Sequence, residues 1–523
     1  MHKLSLAIFL TCTSLAMPLS PAFAKDPANI AYVDAGTDVE KLKAVAKLFP
    51  NTVWGQLAAA RVKVQEAQQP VVPANRQIKV EKKIVAPEPA PVVQPETQAV
   101  VTPEPAVAVP APAAGTLRVA ADGSGNYTSI ADAIAAASSG GRIEVMPGTY
   151  SGGAVIDKPV EIVGMGSFEQ VIWLATGTDV VHWKANEGLI SNITLHQKGG
   201  CEKTCNAIYF DNGSALVENT ALTSEGGASV DIEGARSNPT ITKSNIFDAK
   251  EGGIYLAKDT NGTISLNDIY NNTFAGIEIK DGSAPLIKGN NIRNGKQSGI
   301  FVNTNGRGII EDNKIFENTY AGVEIKDRAE PIVRNNQIYA QKESGVYVNT
   351  KGRGSIVNND IYGNTNSNIE VTEFANPSIR SNRIYDGKGS GIFIDKDGRG
   401  VFEENEITNN ALSGIEISAN SDPVIRNNTI KGGKQAGIFI LDKGRGVIED
   451  NVITGNAFSG IEVKKRGNPV AKNNRINGNL EYGIYIHDNG RGTFTDNDLA
   501  ENKSGAWLIE KTAGKIKRSG NRE

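Results

Sequence analysis

Histidine and cysteine are scarce in this 523-residue chain, at four and three residues. Cys12 lies in an apolar N-terminal run that is expected to be removed. That leaves Cys201 and Cys205, with His182, His196 and His487 scattered along the rest. Such a set argues against a Cys/His-rich metal domain or copper handling, and no cofactor or metal is expected. A strong net charge is lacking too. The formal value is −3, which gives no reason to expect nucleic acid as a partner. Beyond residue 24 no stretch is apolar enough to span a membrane.

What is present begins with a secretory signature. Lys3 precedes a mostly apolar Leu4–Leu19, and Ala22-Phe23-Ala24 is a small-x-small cleavage site, so residues 1–24 read as a signal peptide cut after Ala24. The mature chain is expected in the periplasm or outside the cell. Residues 25–68 read as a short helical hairpin, broken at Pro50-Asn51-Thr52. The segment Leu48–Gly55 with Ala58–Arg61 resembles a tetratricopeptide-like helix pair of exported bacterial proteins. Residues 69–115 are rich in Pro, Ala and Val without periodicity and read as a disordered linker. Cys201-Glu202-Lys203-Thr204-Cys205, in an oxidising compartment, reads as a small disulfide loop; a metal site with His196 is the weaker alternative.

From Gly253 the chain repeats every 23 residues. Gly253, Gly276, Gly299, Gly322, Gly345, Asn368, Gly391, Gly414, Gly437, Gly460 and Gly483 form one row, and Asn267, Asn290, Asn313, Asn336, Asn359 and their successors to Asn497 form another. Unbroken register means that every copy stacks on the next in the same way. Within a copy, as in Gly322-Val323-Glu324-Ile325, apolar residues alternate with period two, which excludes helical repeats. Three short strands per copy, for example 322–326, 331–334 and 337–339, predict an all-β parallel β-helix over residues 116–523. The Asn row is expected to be structural, because Asn tolerates left-handed turns and stacked amides bond from coil to coil.

Phrases such as Gly306-Arg307-Gly308-Ile309-Ile310-Glu311-Asp312-Asn313 and Pro331-Ile332-Val333-Arg334-Asn335-Asn336 resemble right-handed parallel β-helix repeats. Similar repeats occur in F-box only proteins and in bacterial carbohydrate-binding and sugar-hydrolase β-helices. The resemblance implies a right-handed, pectin-lyase-like solenoid, a fold that hosts many functions. The opening, Val119–Ile130 and then the Ala-rich stretch Ile130–Ala137, resembles that of pectin methylesterases, in which a short helix caps the open end of the stack. The downstream catalytic motifs of that family are missing.

A second period, of 46 residues, marks the outward position of the first strand. Tyr255, Glu278, Phe301, Glu324, Tyr347, Glu370, Phe393, Glu416, Phe439, Glu462 and Tyr485 alternate aromatic with acid, and Trp507 follows one residue early. Alternation points these side chains away from the core, giving an aromatic about every 9.6 Å. Flat rings stack on sugar faces or anchor protein partners, and carboxylates accept from hydroxyls. The competing reading is structural. Arg307, Arg353, Arg399, Arg445 and Arg491 recur in Gly-Arg-Gly turns, where each could bridge to a Glu of an adjacent coil and hold register.

Catalysis has less support. The Asn-Thr-Asp, Gly-His-Gly and Arg-Ile-Lys signatures of polygalacturonases and the Asp-Pro-His-Asp of alginate epimerases are absent, and no Glu stands out from its repeats. An atypical active site would fit best in the irregular coils around His182, Trp183, His196, Asp211 and Glu225. The leading expectation is therefore an exported, non-enzymatic module that binds polysaccharide along the stripe. An envelope-protein scaffold and a polysaccharide lyase, hydrolase or epimerase are the alternatives.

Overall fold

The computed structural model describes residues 115–523, together with Lys43, Ala44 and Lys47, which are helical. The signal peptide, the hairpin and the linker expected at 1–115 otherwise lie outside the described residues. From Thr116 onward the period-two pattern folds into short strands. One coil contributes Val323–Ile325, Ile332–Arg334 and Gln337–Tyr339. Each pairs in parallel with the strand 23 residues later: Val323 with Val346, Ile332 with Ser355, Gln337 with Asp360. Three parallel sheets result, of 16, 18 and 15 strands, called first, second and third in the order a coil visits them. Inward side chains stack into rows. Ile292, Ile315, Ile338 and Ile361 on the third sheet are all fully buried, each contributing about 1.5–3 kcal/mol of hydrophobic stabilisation.

The α-helix Ile130–Ala136 lays Ile130, Ala133 and Ile134 on the first coils, and the Ser129 hydroxyl caps its first turn by accepting from the Asp132 N–H. At the other end Trp507 has a different role from the one its spacing suggested. Strand pairing keeps the 23-residue step, setting Leu508 opposite Tyr485 and Trp507 opposite the inward Ile484. Trp507 therefore turns toward the core, edge-on to Phe494 at 5.7 Å, and does not extend the outward row.

The Asn row is a buried amide ladder. Asn313, Asn336 and Asn359 are each 1% exposed. The Oδ1 of Asn336 accepts from the backbone N–H and the Nδ2 of Asn313, at 2.9 and 3.0 Å, and its own Nδ2 donates to Oδ1 of Asn359. The left-handed turn expected at these residues belongs instead to their predecessors: Asp312, Asn335 and Asn358 have φ of 57°, 56° and 55°. The ladder Asn serves through its amide, which also caps the carbonyl of Ile310 on the preceding coil. A second ladder, Asn318–Gln341–Asn364, runs beside it. Gly387 interrupts it, and there the amide of Asn368 fills the gap, accepting from Asn364 and donating to Asn410. Asn368 occupies the glycine row, whose members are small because a Cβ would strike the next coil; one on Gly299 would lie 2.6 Å from Ile315 Cγ2.

Four of the five Gly-Arg-Gly turns lack the expected arginine–glutamate pair. Arg307, Arg399, Arg445 and Arg491 are exposed and make no ion pair among the described residues, while Arg353 is half-buried. These turns lie beyond the end of the first sheet, so the guanidinium groups leave the glutamate row. Ionic cross-links run instead on the outward face of the second sheet. There Lys288–Glu311–Arg334 pair at 3.0 and 2.6 Å, Arg426–Glu403 at 2.7 Å and Lys472–Glu449 at 2.8 Å.

Candidate functional site

The first sheet carries two outward rows, two residues apart on each strand. The first is the aromatic–acid row, and its members pair from coil to coil: Glu324 with Tyr347, Tyr347 with Glu370, Glu370 with Phe393, Phe393 with Glu416. Tyr255, Glu278, Phe301, Phe439, Glu462 and Tyr485 occupy the same row. All point outward, but they are half-buried, not fully exposed, because each is flanked by its neighbours above and below. The row also reaches into the irregular coils, as His182, Tyr209 and Asp231 ahead of Tyr255.

The second row decides what each member of the first can do. Lys280, Lys326 and Lys464 set their ammonium groups over the rings of Tyr255, Phe301 and Phe439, at 5.8, 5.2 and 4.5 Å from the centroids. At the equivalent places for Tyr347 and Phe393 stand Thr372 and Ser418. Those two rings therefore lack the covering lysine. Phe393 lines a shallow groove of about 460 Å³ with Glu370, Ser390, Leu412 and Glu416, and Lys388 is also on its wall.

The carboxylates are fixed from neighbouring coils. Ser298, Ser344 and Ser390 donate to Glu324, Glu370 and Glu416 at 2.9, 3.1 and 3.0 Å. Asn303 and Asn349 donate to Glu278 and Glu324 at 2.9 and 3.3 Å, and His487 lies 3.1 Å from Glu462. One coil inverts this pattern: Asp395 occupies the place of those asparagines and faces Glu370 with a second acid. Burial, opposed by the Ser344 bond and reinforced by Asp395, raises the Glu370 carboxyl above its usual range. Burial and Asp395 likewise raise Glu416, against the Ser390 bond. Burial and nearby carboxylates push Tyr255 up to about 12 and raise Tyr347 further, so these phenols stay protonated.

In the irregular coils the structure regroups the residues flagged from sequence. Trp183 is fully buried and donates to the Ala185 carbonyl. His196 and Lys198 both meet Glu225, at 2.9 and 2.8 Å. Cys201 and Cys205 form a disulfide that leaves His196 aside, and no metal-binding cluster exists among the described residues. His182 lies 3.5 Å from Asp211. The sequence reading missed Asp231. Its Oδ1 is buried without a hydrogen-bond partner. Burial, then Glu233 and Asp179, push its carboxyl up to about 8. Tyr209 donates to Glu233 at 3.1 Å, and Lys258 closes on the same carboxylate. The row extension was legible as Tyr209, Asp231 and Tyr255, but irregular loop lengths hid it.

A second aromatic row went unnoticed on the third sheet. Phe316, Tyr339, Tyr362 and Tyr385 stack face to face at 5.1, 5.0 and 4.9 Å. The faces within this stack are taken up by one another, and the Arg383 guanidinium lies over Tyr385 at 5.2 Å.

A sequence profile described as "Right handed beta helix region" matches residues 179–323, 287–399 and 389–522. The chain belongs to the right-handed β-helix family. No curated protein sequence matches it. Among solved structures, the A-module of mannuronan C-5 epimerase AlgE6 from Azotobacter vinelandii is similar over 75% of this chain and 92% of that one, at 15% identity and a TM-score of 0.35. The Dettilon tailspike protein matches over 56% and 67%, at 16% identity and a TM-score of 0.45. Pectate lyase Pel9A matches over 55% and 79%, at 13% identity and a TM-score of 0.39. At such identities the likeness concerns the fold. No helix among the described residues is long and apolar enough to cross a membrane.

Proposed function

We propose that this protein is an exported binding module that holds an extended polysaccharide along the first sheet, without turnover. The observation that carries this reading is the outward row itself. Rings and pinned carboxylates alternate on a flat parallel sheet, and the Tyr347 and Phe393 rings lack the lysine that covers Tyr255, Phe301 and Phe439. An aromatic ring stacks on the apolar face of a sugar, and a fixed carboxylate accepts from its hydroxyls. A repeating ligand matches a repeating row. The third-sheet ladder, with its ring faces occupied, supplies the internal contrast. The test is a glycan array probed with the full chain and with the Phe301/Tyr347/Phe393→Ala triple variant. A glycan signal lost in the variant supports the reading. Silence across the array, with capture of an envelope protein instead, overturns it.

One observation favours a second reading, a polysaccharide-modifying enzyme. Asp231 is a carboxyl held protonated near neutrality between two tyrosines, with Glu233 and Asp211 nearby on the adjoining row. A proton-loaded acid beside other carboxyl groups suits general acid–base work. If this reading holds, any glycan found on the array is consumed by the wild type and left intact by Asp231→Asn.

A further inference from the structure

The ring row has a counterpart on the turn that leads into each strand of the first sheet. Four residues before Glu278, Glu324, Glu416 and Glu462 stand Phe274, Tyr320, Leu412 and Phe458, large apolar side chains between 38% and 46% exposed. Four residues before Phe301, Tyr347, Phe439 and Tyr485 the same place holds Gln297, Glu343, Gln435 and Glu481. Backbone bonds tie these turns together: the Phe274 N–H donates to the Glu251 carbonyl at 2.9 Å, and the Leu412 N–H to that of Gly389 at 3.1 Å. A coil with a ring on the sheet therefore has a polar wall, and a coil with an acid on the sheet has an apolar one. The two characters change places at each coil and return after two, about 9.6 Å along the stack. Leu412 and Phe393 line the same groove, so wall and sheet face one channel. Beside Phe393 the wall drops to Asn366 and Gly389, and there the groove opens. The core does not ask for this alternation, because its buried isoleucine rows keep a 23-residue step. Exposed apolar side chains set in a line mark an interaction surface.

We propose that this channel takes an uncharged polysaccharide of pyranoses joined by equatorial 1,4 bonds, running along the stack with one sugar per coil. The proposal rests on the polysaccharide-binding reading and narrows it to a ligand class. In the extended form of such a chain each unit is turned over relative to the last. The edge that one unit shows to the wall, the next shows away from it, and the pattern returns after two units. Each unit also advances by nearly the spacing between coils. A surface whose apolar and polar positions swap sides at every coil is complementary to that ribbon. A chain with an axial bond curves away from a straight row and loses the register. Charge narrows the class further. The polar members of the floor are carboxylates, held by Ser298, Ser344 and Ser390. They accept from hydroxyls, whereas a uronate chain would set its own carboxylates against them.

The test is titration calorimetry with the full chain and two groups of hexamers. The first holds β-1,4-linked glucose, mannose, xylose and N-acetylglucosamine; the second holds α-1,4-linked glucose, β-1,3-linked glucose and α-1,4-linked galacturonate. One member of the first group is expected to bind about tenfold more tightly than any of the second. Leu412→Gln should weaken that binding severalfold at an unchanged unfolding midpoint. Leu412→Gln combined with Gln435→Leu keeps the composition and moves the apolar group by one coil, so it should bind no better than the single variant. Tyr320→Gln with Gln297→Tyr asks the same question at another place, should the first pair fail to fold. Unchanged affinity in Leu412→Gln, or affinity recovered in the exchanged pairs, overturns the proposal. So does equal or tighter binding of a hexamer from the second group, an outcome that leaves the polysaccharide reading standing. Silence with every glycan brings both down.

Discussion

Replacing Asn336 by alanine tests whether the buried amide ladder holds the stack. Asn336 is 1% exposed. Its Oδ1 accepts from the backbone N–H and the Nδ2 of Asn313, and its Nδ2 donates to the Ile310 carbonyl and to Oδ1 of Asn359. After truncation, Asn359 Oδ1 keeps the backbone N–H of residue 336, and Asn313 Nδ2 keeps the Ile287 carbonyl. The Asn313 N–H keeps nothing. One stranded buried N–H costs about 1–3 kcal/mol and each of the three other bonds lost about 1, so a destabilisation of roughly 4–6 kcal/mol is expected. Asn336→Asp should be worse, because it keeps the acceptor but turns a carboxylate toward the Ile310 carbonyl. The assay is guanidinium unfolding paired with hydrogen exchange at the Asn313 amide, since a stacked array can open locally. A loss below about 0.5 kcal/mol, the range of ordinary surface changes, would refute the ladder's energetic role. Unchanged protection at Asn313 would refute it equally.

Three further outcomes follow from the same structure. Arg334→Ala takes from Glu311, 4% exposed, the guanidinium that pairs with it at 2.6 Å; unfolding midpoints should report a loss of about 3 kcal/mol, as for other broken buried pairs. Tyr347→Ala and Phe393→Ala should each weaken glycan binding more than Phe439→Ala, whose ring already carries Lys464; calorimetry with any glycan found on the array ranks them. For Asp231 the folded carboxyl titrates near 8 against an ordinary 3.8. Between those values the native state holds a proton that the unfolded chain releases, so this group's contribution falls as pH rises from about 4 to 8 and levels off above. Asp231→Asn should lack that decline, and unfolding curves at pH 4.5, 6.5 and 8.5 would show the wild type losing ground to the variant.

Much of this molecule was legible without coordinates. The 23-residue step, the period-two alternation and the glycine row are local patterns, and a parallel stack carries each of them unchanged from coil to coil. That is why Glu324, Tyr347, Glu370 and Phe393 could be placed in one outward row from numbering alone, and why the Asn row was recognised as structural. The left-handed turn was assigned one residue late because sequence reveals which residue recurs, not which φ each adopts. Trp507 was misplaced for a related reason: the backbone ladder kept its step, and a large ring could close the core from the inward side.

What only the tertiary structure decided are relations between rows. Lysines at 280, 326 and 464 cover rings on the preceding coil, and Thr372 and Ser418 leave their counterparts without that cover. Asp395 matters because of the acid it faces from the adjacent strand, and Asp231 because one of its carboxyl oxygens is buried without a partner. Periodicity fixes where a side chain stands along the stack. Its charge state and the freedom of its ring depend on neighbours brought close through space, and those few ångströms are set by how the coils pack.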